Sequence, residues 1–130
     1  MNEPAIVINV PMLPPPELSL NYPRYAHWGT VAQARKAWHN AVGYSAIDAR
    51  NRITGWQPIE FAELELTFIY PVRRKRDADN LITMFKKGQD ALVDAKIILS
   101  DDTEHLTIRQ PVIIIDEKRS PQTIIRVFRR

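Results

Sequence analysis

An alternation of apolar and polar side chains over residues 63–70 constrains the fold more than any other feature of this chain. The apolar members are Leu64, Leu66, Phe68 and Tyr70, and the polar ones are Glu63, Glu65 and Thr67. Side chains two positions apart lie on the same face of a β-strand, so this pattern predicts a half-buried strand. Pro71 closes the strand because proline cannot donate a ladder hydrogen bond.

Helical and extended patterns alternate before and after this strand. Residues 5–10 form a short apolar run, which predicts a mostly buried strand. Apolar residues at helical spacing predict one helix over about 31–50, with Thr30 as its N-cap, and a second over about 80–95. Trp38 falls on the apolar side of the first helix, and we expect it in the core.

The C-terminal third is rich in β-branched residues. Residues 106–115 predict a strand, which Pro111 restricts to an edge or a bulge, and residues 123–128 predict a last strand as its hairpin partner. The expected element order is therefore β-α-β-α-β-β. We predict a single small α+β domain over residues 1–130, in which a mixed β-sheet packs with two helices.

Composition narrows the class of protein. The chain of 130 residues contains no cysteine, which excludes disulfides and thiolate nucleophiles, and its apolar runs are shorter than the ~20 residues that span a bilayer. We therefore expect a cytoplasmic protein without membrane contact. The net charge of +3 is local, because residues 1–65 carry −1 and residues 66–130 carry +4. Such a local excess is typical of a phosphate-binding patch.

The basic residues stand directly beside carboxylates. Arg73, Arg74, Lys75 and Arg76 precede Asp77, Asp79 and Asn80, and a second acidic pair follows at Asp101 and Asp102. Phosphate backbones attract cations and repel carboxylates, so the mixture favours a site that binds phosphate and also holds a divalent metal. Taken singly, each acidic motif is also typical of a helix cap or a turn.

The spacing assigns a role to each group. In extended chain Asp77 and Asp79 face the same way, so the pair can share a Mg²⁺ ion with one aspartate from 101–102. Either Asp79 or Asn80 can cap the following helix. Lys86, or Lys87 in its place, can stabilise the charge that develops on the phosphorane, although Lys86 can also pair with Asp90 on the surface.

These motifs, in this order, resemble the RusA family of Holliday junction resolvases. The similarity is most specific over 71–106 and extends more loosely to the N-terminus, to Pro14-Pro15-Pro16, Leu20-Asn21, Arg24, His27 and Trp28. It implies a small homodimeric endonuclease of DNA recombination and repair, of a kind common in phages and prophages. The implied enzyme cuts four-way DNA junctions by paired nicks and depends on Mg²⁺, with Mn²⁺ as a possible substitute.

The resemblance also implies roles for individual residues. The essential aspartates of the family correspond to Asp77, Asp79 and Asp102, with Asp101 as the alternative to Asp102, and the family's helix lysine corresponds to Lys86, with Lys87 as its alternative. The residues expected to contact DNA are Arg24, Arg73, Arg74, Lys75, Arg76, Asn80 and Lys87. The helix between Asn80 and Asp90 is about one turn longer than the family pattern.

Other interpretations remain open at this point. The chain can be a metal phosphodiesterase for other DNA or RNA structures. It can also be a non-catalytic nucleic-acid-binding module, in which the aspartates only cap helices and form turns. Trp28 and Tyr25 are expected to pack, with stacking on an exposed base as the alternative. A dimer has two candidate interfaces, the apolar segment 106–128 and the helix over 80–95.

Overall fold

The computed structural model describes residues 3–23 and 28–130, which form three α-helices, five strands and one 3₁₀ turn. The elements in chain order are β1 (Ile6–Val10), the 3₁₀ turn (Pro16–Leu18), α1 (Trp28–Asn51), β2 (Ala62–Tyr70), α2 (Ala78–Phe85), α3 (Lys87–Asp94), β3 (Leu106–Ile108), β4 (Val112–Ile115) and β5 (Gln122–Arg129). The α+β class and the mixed sheet are confirmed, but with one more helix and one more strand than the sequence predicted. No helix in the described ranges is long and apolar enough to cross a membrane.

The predicted strand around residues 63–70 is the centre of the sheet. β2 pairs antiparallel with β5, which in turn pairs antiparallel with β1. On its other side β2 pairs parallel with β3 and then with β4. β3 and β4 thus form one edge strand that is interrupted at 109–111, as the proline at position 111 predicted.

The predicted C-terminal hairpin is wrong. β4 and β5 lie on opposite sides of β2 and do not pair with each other. The connection over 116–121 therefore passes the end of β2. β2 separates the two because its apolar face is buried along its length and gains a hydrogen-bonded partner on both edges.

The alternation in β2 separates two environments. Leu64, Leu66 and Phe68 are fully buried in the one hydrophobic core that the described residues form with the helices. The opposite face carries Glu63 and Glu65, which bind arginines from neighbouring strands. Arg109 donates to Glu63 at 2.8 Å and to Glu65 at 3.3 Å, and Arg126 approaches Glu65 at 3.4 Å. The part of this face around Glu63 and Glu65 is therefore held by charge pairs, whereas farther along the strand Thr67 and Ile69 are buried.

The first helix begins earlier than predicted, since α1 starts at Trp28 and Thr30 lies inside it rather than at its cap. Trp38 is buried, as expected, and its ring meets Phe85 edge-on at 6.0 Å between centroids. α1 packs on β1 and on α3. This packing places α1 beside Lys87 and Asp101, whereas the basic run 73–76 lies away from it.

The predicted continuous helix over 80–95 is wrong, because it divides at Lys86 into α2 and α3. In an unbroken helix the Gln89 amide would donate to the Phe85 carbonyl. Here the buried indole of Trp38 donates to that carbonyl at 3.1 Å, and Gln89 donates to Lys86 at 3.0 Å instead. Gly88 permits the close approach, since a Cβ there would lie 2.9 Å from the Phe85 ring.

Candidate functional site

Three adjoining hollows form one groove along α2, bounded by α1, by α3 and by the 3₁₀ turn. Neighbouring hollows share lining residues, Ser19 and Met84 at one junction and Arg35, Lys87, Asp90 and Asp101 at the other. Seven Lys or Arg side chains and five carboxylates line the groove. The cations are Arg35, Lys36, Arg74, Lys75, Arg76, Lys86 and Lys87, and the acids are Glu17, Asp77, Asp90, Asp94 and Asp101. The mixture of charge that the sequence predicted is therefore gathered on one surface.

Asp77 lies at the end of the groove nearest the carboxyl end of β2. Its backbone is extended, and its Oδ1 accepts a hydrogen bond from the Asp79 amide at 2.9 Å, which makes Asp77 the N-cap of α2. The sequence assigned this cap to Asp79 or Asn80, and that assignment is wrong. Asp79 lies inside the first helical turn, so only Asp77 occupies the extended connection that we expected for both.

The basic run 73–76 divides into exposed and tethered members. Arg73, Arg74 and Lys75 are exposed, whereas the Arg76 guanidinium lies 3.6 Å from the centroid of the Tyr70 ring and donates to the Arg74 carbonyl. Burial raises the pKa of Tyr70, and the nearby Arg76 charge lowers it in part. Arg76 thus anchors the loop to β2 and leaves the preceding cations in solvent.

Asn80 connects α2 to the N-terminal segment. Its Nδ2 donates to the Ser19 Oγ at 2.9 Å, and its Oδ1 accepts from the Leu20 amide at 2.9 Å. Ser19 Oγ also accepts from the Asn21 amide at 3.1 Å. Both polar atoms of the Asn80 side chain are engaged, so in this structure Asn80 holds one wall of the groove against α2.

The two lysines at the α2–α3 junction differ in their partners. Lys87 approaches the Asp90 carboxylate at 3.3 Å. The surface ion pair with Asp90 that the sequence allowed for Lys86 is therefore formed by Lys87. Lys86 is exposed, lines the groove, and forms no ion pair within the described part of the chain. Its ammonium is therefore available to a negatively charged ligand.

Asp101 faces the groove in company with Asp90. Partial burial raises the pKa of Asp101, and interaction with the Asp90 carboxyl raises it further. Both residues line the two hollows that contain Lys87. Two carboxyl groups in this arrangement repel each other when both are ionised, and a divalent cation between them would relieve the repulsion.

Asp102 belongs to a different network. Its Oδ1 accepts from the His105 ring at 2.6 Å and from the amides of Glu104 and His105, each at 3.0 Å, while its Oδ2 accepts from Ser100 at 2.8 Å. The His105 ring in turn stacks on Phe61, with 5.0 Å between centroids. Asp102 thus ties down the turn that presents Asp101.

The Asp102–His105 pair predicts a pH dependence of stability. The hydrogen bonds from His105 and Ser100 lower the pKa of Asp102 from 3.8 to about 2, and the Asp102 hydrogen bond raises the pKa of His105 above 6.5. The carboxylate contributes stability that is lost as the pH falls from about 4 towards 2. The imidazolium contributes stability that is fully present below pH 6.5 and is lost as the pH rises through the raised pKa.

We therefore expect the difference in melting temperature between the wild type and His105→Gln to be largest between about pH 4 and 6.5 and to shrink above it. Thermal unfolding from pH 3 to 9 measures it. Asp102→Asn should give the same profile. A difference that is constant across this range would contradict the pair's role.

Sequence reasoning assigned some groove residues and missed others. The sequence indicated Asp90 as a surface partner of Lys86 and as part of the family resemblance, but not as a carboxylate of the groove. Its spacing of three from Lys87 is the signal for the ion pair that the structure contains. Arg35 and Ser19 carried no local signal, because contacts across the fold bring them to α2. Arg24 lies outside the described residues.

Among residues 3–23 and 28–130, no group of three or more histidine or acidic side chains is arranged to hold a metal ion. A comparison with models of known protein families finds no match, and neither does a comparison with curated proteins. The site therefore has to be interpreted from its own geometry.

Proposed function

We propose that the chain is a Mg²⁺-dependent, structure-specific DNA endonuclease that resolves four-way junctions by paired symmetric nicks. The observation that carries this proposal is the groove, in which Lys86, without an ion pair among residues 3–23 and 28–130, lies in the same hollow as Asp90 and Asp101. Cations alone would suit phosphate binding. Carboxylates within the same cationic groove weaken phosphate binding unless a metal ion joins them to it, which favours catalysis.

The donors at Asp90 and Asp101 fit a magnesium ion. Mg²⁺ prefers hard oxygen ligands and is commonly held by one or two carboxylates, with water and substrate phosphate completing its shell. A pair of carboxyls is therefore sufficient. Burial, followed by the Asp90 carboxyl, raises the pKa of Asp101, while Lys87 already meets part of the Asp90 charge at 3.3 Å. When bound, the ion polarises the scissile phosphate and lowers the pKa of a coordinated water.

The remaining groove residues have roles that follow from their charge and position. Arg74 and Lys75 hold phosphates at the end where Asp77 lies, and Arg35 holds them at the other. Lys86 stabilises the extra negative charge that develops on the phosphorus centre during attack. Asp77 and Asp79 remain our candidates for a second carboxylate group in metal binding, and Asp102 supports the turn of Asp101.

A junction is two-fold symmetric, so two symmetric cuts require two sites related by an isologous interface. We propose that this homodimer forms through β4. Val112, Ile113 and Ile114 expose 41%, 37% and 38% of their surfaces, and β4 pairs with β2 alone among the described strands. The free edge of β4 can pair antiparallel with the same edge of a second copy, which would cover these side chains.

The proposed interface predicts that Ile113→Glu produces a monomer at micromolar concentration, because a charge would be buried in an apolar contact. Light scattering after size-exclusion chromatography measures the mass. Val7→Glu is the matched control, since Val7 is 47% exposed on β1, the opposite edge of the sheet. A dimer that persists in Ile113→Glu, or that is lost in Val7→Glu, would place the interface elsewhere.

The decisive experiment is the nicking of a labelled synthetic four-way junction in Mg²⁺ and in EDTA, with linear duplex as the control. Metal-dependent symmetric cuts on the junction alone are expected. Equal cutting of flaps or of RNA structures would favour a broader metal phosphodiesterase. Tight junction binding without cutting in Mg²⁺ or Mn²⁺ would overturn the proposal in favour of a binding module.

We propose the cytoplasm of a bacterial or phage-infected cell as the place of action.

A further inference from the structure

Trp28, the first residue of α1, exposes an unusually large apolar surface. It is 79% exposed, more than Tyr44 at 72% or Leu20 at 70%. The sequence favoured a packing role for this tryptophan, and in the structure most of its surface is nevertheless exposed. Tryptophan is one of the costliest side chains to leave in water, so an exposed ring beside a candidate site indicates a surface for a ligand.

The helix geometry aligns Trp28 with the groove. Residues three and seven positions apart lie on one stripe of a helix, and Val31 and Arg35 of that stripe line the middle hollow. Trp28 is one turn beyond Val31 and, at ~1.5 Å per residue, about 10 Å along the axis from Arg35. Trp28 is therefore on the same stripe of α1 as these two lining residues, one turn beyond them towards the N-terminus of the helix.

The opposite wall is fixed, and cations lie beside it. Glu17, Leu18 and Ser19 form that wall, and the hydrogen bond between Asn80 and Ser19 ties it to α2. Lys86 and Lys87 line the same hollow. A flat apolar ring at one end of a cationic groove is complementary to a nucleotide, whose base stacks on the ring while its phosphates meet the cations.

We propose that Trp28 stacks on an unpaired nucleobase of the DNA strand whose phosphates follow Arg35 and Lys86. In a linear duplex every base is paired and stacked, whereas a base at a branch point can be unstacked at low cost. Trp28 would then select branched or single-stranded DNA over duplex. This inference rests on the proposed function and specifies its substrate as DNA with an unstacked base beside the groove.

The test uses branched DNA with the fluorescent base 2-aminopurine at the branch point, in EDTA so that no cleavage occurs. The wild type should quench the fluorescence by stacking, Trp28→Phe should retain part of the quenching, and Trp28→Ala should lose it. Removing one base–aromatic stack costs about 1–3 kcal/mol, so Trp28→Ala should bind branched DNA roughly 5- to 150-fold more weakly. Binding of linear duplex should not change.

Tyr44→Ala is the matched control. Tyr44 is an exposed aromatic residue on the same helix, but sixteen positions from Trp28 it faces nearly the opposite way. With Gly43 and Ile47 it lines a hollow that meets the groove only at His39 and Asp94 and does not include Lys86. It should bind and quench like the wild type. Because both side chains are exposed, circular dichroism should report unchanged folding for both variants.

Two outcomes would overturn the inference: unchanged quenching in Trp28→Ala, or an equal loss of affinity for branched and duplex DNA. The result is separable from the proposed function. Junction cleavage that survives in Trp28→Ala with unchanged quenching would remove the stacking role alone. Trp28-dependent quenching in a protein that never cuts would preserve the stacking role and remove the nuclease.

Discussion

Asp77→Asn should abolish junction cleavage while leaving junction binding within a few-fold of the wild type. Asparagine keeps the shape of the side chain but carries no negative charge, so it is a poor ligand for Mg²⁺. We expect a loss of about 10²- to 10³-fold in the single-turnover cleavage rate, similar in size to the loss of a group that stabilises a transition state. Gel-based cleavage and equilibrium binding on the same labelled junction measure the two effects.

The choice of asparagine keeps the fold intact. Asp77 caps α2 by accepting from the Asp79 amide, and asparagine is an equally good N-cap residue. Alanine at this position would lose the cap, at about 1 kcal/mol, and would confuse a folding defect with a catalytic one. The melting temperature of Asp77→Asn should therefore stay close to that of the wild type.

Asp48→Asn is the control for the loss of one negative charge. Asp48 is exposed on α1 and pairs with Arg52 at 3.0 Å, on a part of the helix that does not line the groove. It should cut and bind normally. Full cleavage by Asp77→Asn would show that our site assignment is wrong. Tighter binding by Asp77→Asn together with indifference to Mg²⁺ would favour the binding module.

The sequence predicted the parts of the fold that depend on local pattern. The alternation in β2 identified the central strand, and Pro111 identified the interruption of the edge strand, because both act within a few residues. The hairpin prediction was wrong because strand partners are set by burial across the whole sheet. Nothing local to β4 or β5 reveals that β2 lies between them.

The division between α2 and α3 could not be predicted from local sequence, for a different reason. Gly88 offered a local hint, but the cause is the indole of Trp38, which comes from a helix 47 positions earlier and takes the Phe85 carbonyl. The boundary between α2 and α3 decides which lysine pairs with Asp90, and it is Lys87 rather than Lys86. The spacing of four residues predicted that Lys86 would pair with Asp90, and only the contacts of the folded chain show that Lys87 does so.

The choice between Asp101 and Asp102 was likewise open in the sequence, where two adjacent aspartates carry the same chemistry. The structure separates them by their partners. Asp102 accepts four hydrogen bonds within its own turn, while Asp101 shares the groove with Asp90. We infer that Asp101 is the metal-binding member of the pair, whereas the family resemblance assigned that role to Asp102.

This inference predicts opposite effects of two neighbouring substitutions on stability. The pKa of Asp101 is raised, so the ionised carboxyl is disfavoured in the folded state. As the pH rises above the ordinary pKa of 3.8, the Asp101 carboxyl therefore lowers the free energy of unfolding. Without metal at pH 7, Asp101→Asn should therefore raise the melting temperature. Asp102→Asn should lower it, because it loses the charge-assisted hydrogen bond from His105.

Added Mg²⁺ should then show more clearly which of Asp101 and Asp102 binds the metal. At ten times its dissociation constant, an ion that binds only the folded state adds about 1.4 kcal/mol, which raises the melting temperature of a domain this size by roughly 3–6 °C. Differential scanning calorimetry should show this increment in the wild type and in Asp102→Asn. It should be absent in Asp101→Asn and in Asp90→Asn, whose cleavage rates should fall by at least about 10²-fold.

The reverse pattern would correct the assignment without removing the nuclease. If Asp102→Asn loses both the Mg²⁺ increment and cleavage while Asp101→Asn keeps them, the His105-bound carboxylate is the metal ligand, and metal binding must compete with the hydrogen bonds that now hold it. If all four proteins gain the same increment from Mg²⁺, the ion binds elsewhere, and the end of the groove at Asp77 becomes the site to test. The Mg²⁺ increment in melting temperature thus tests each carboxylate as a metal ligand by a measurement that does not require turnover.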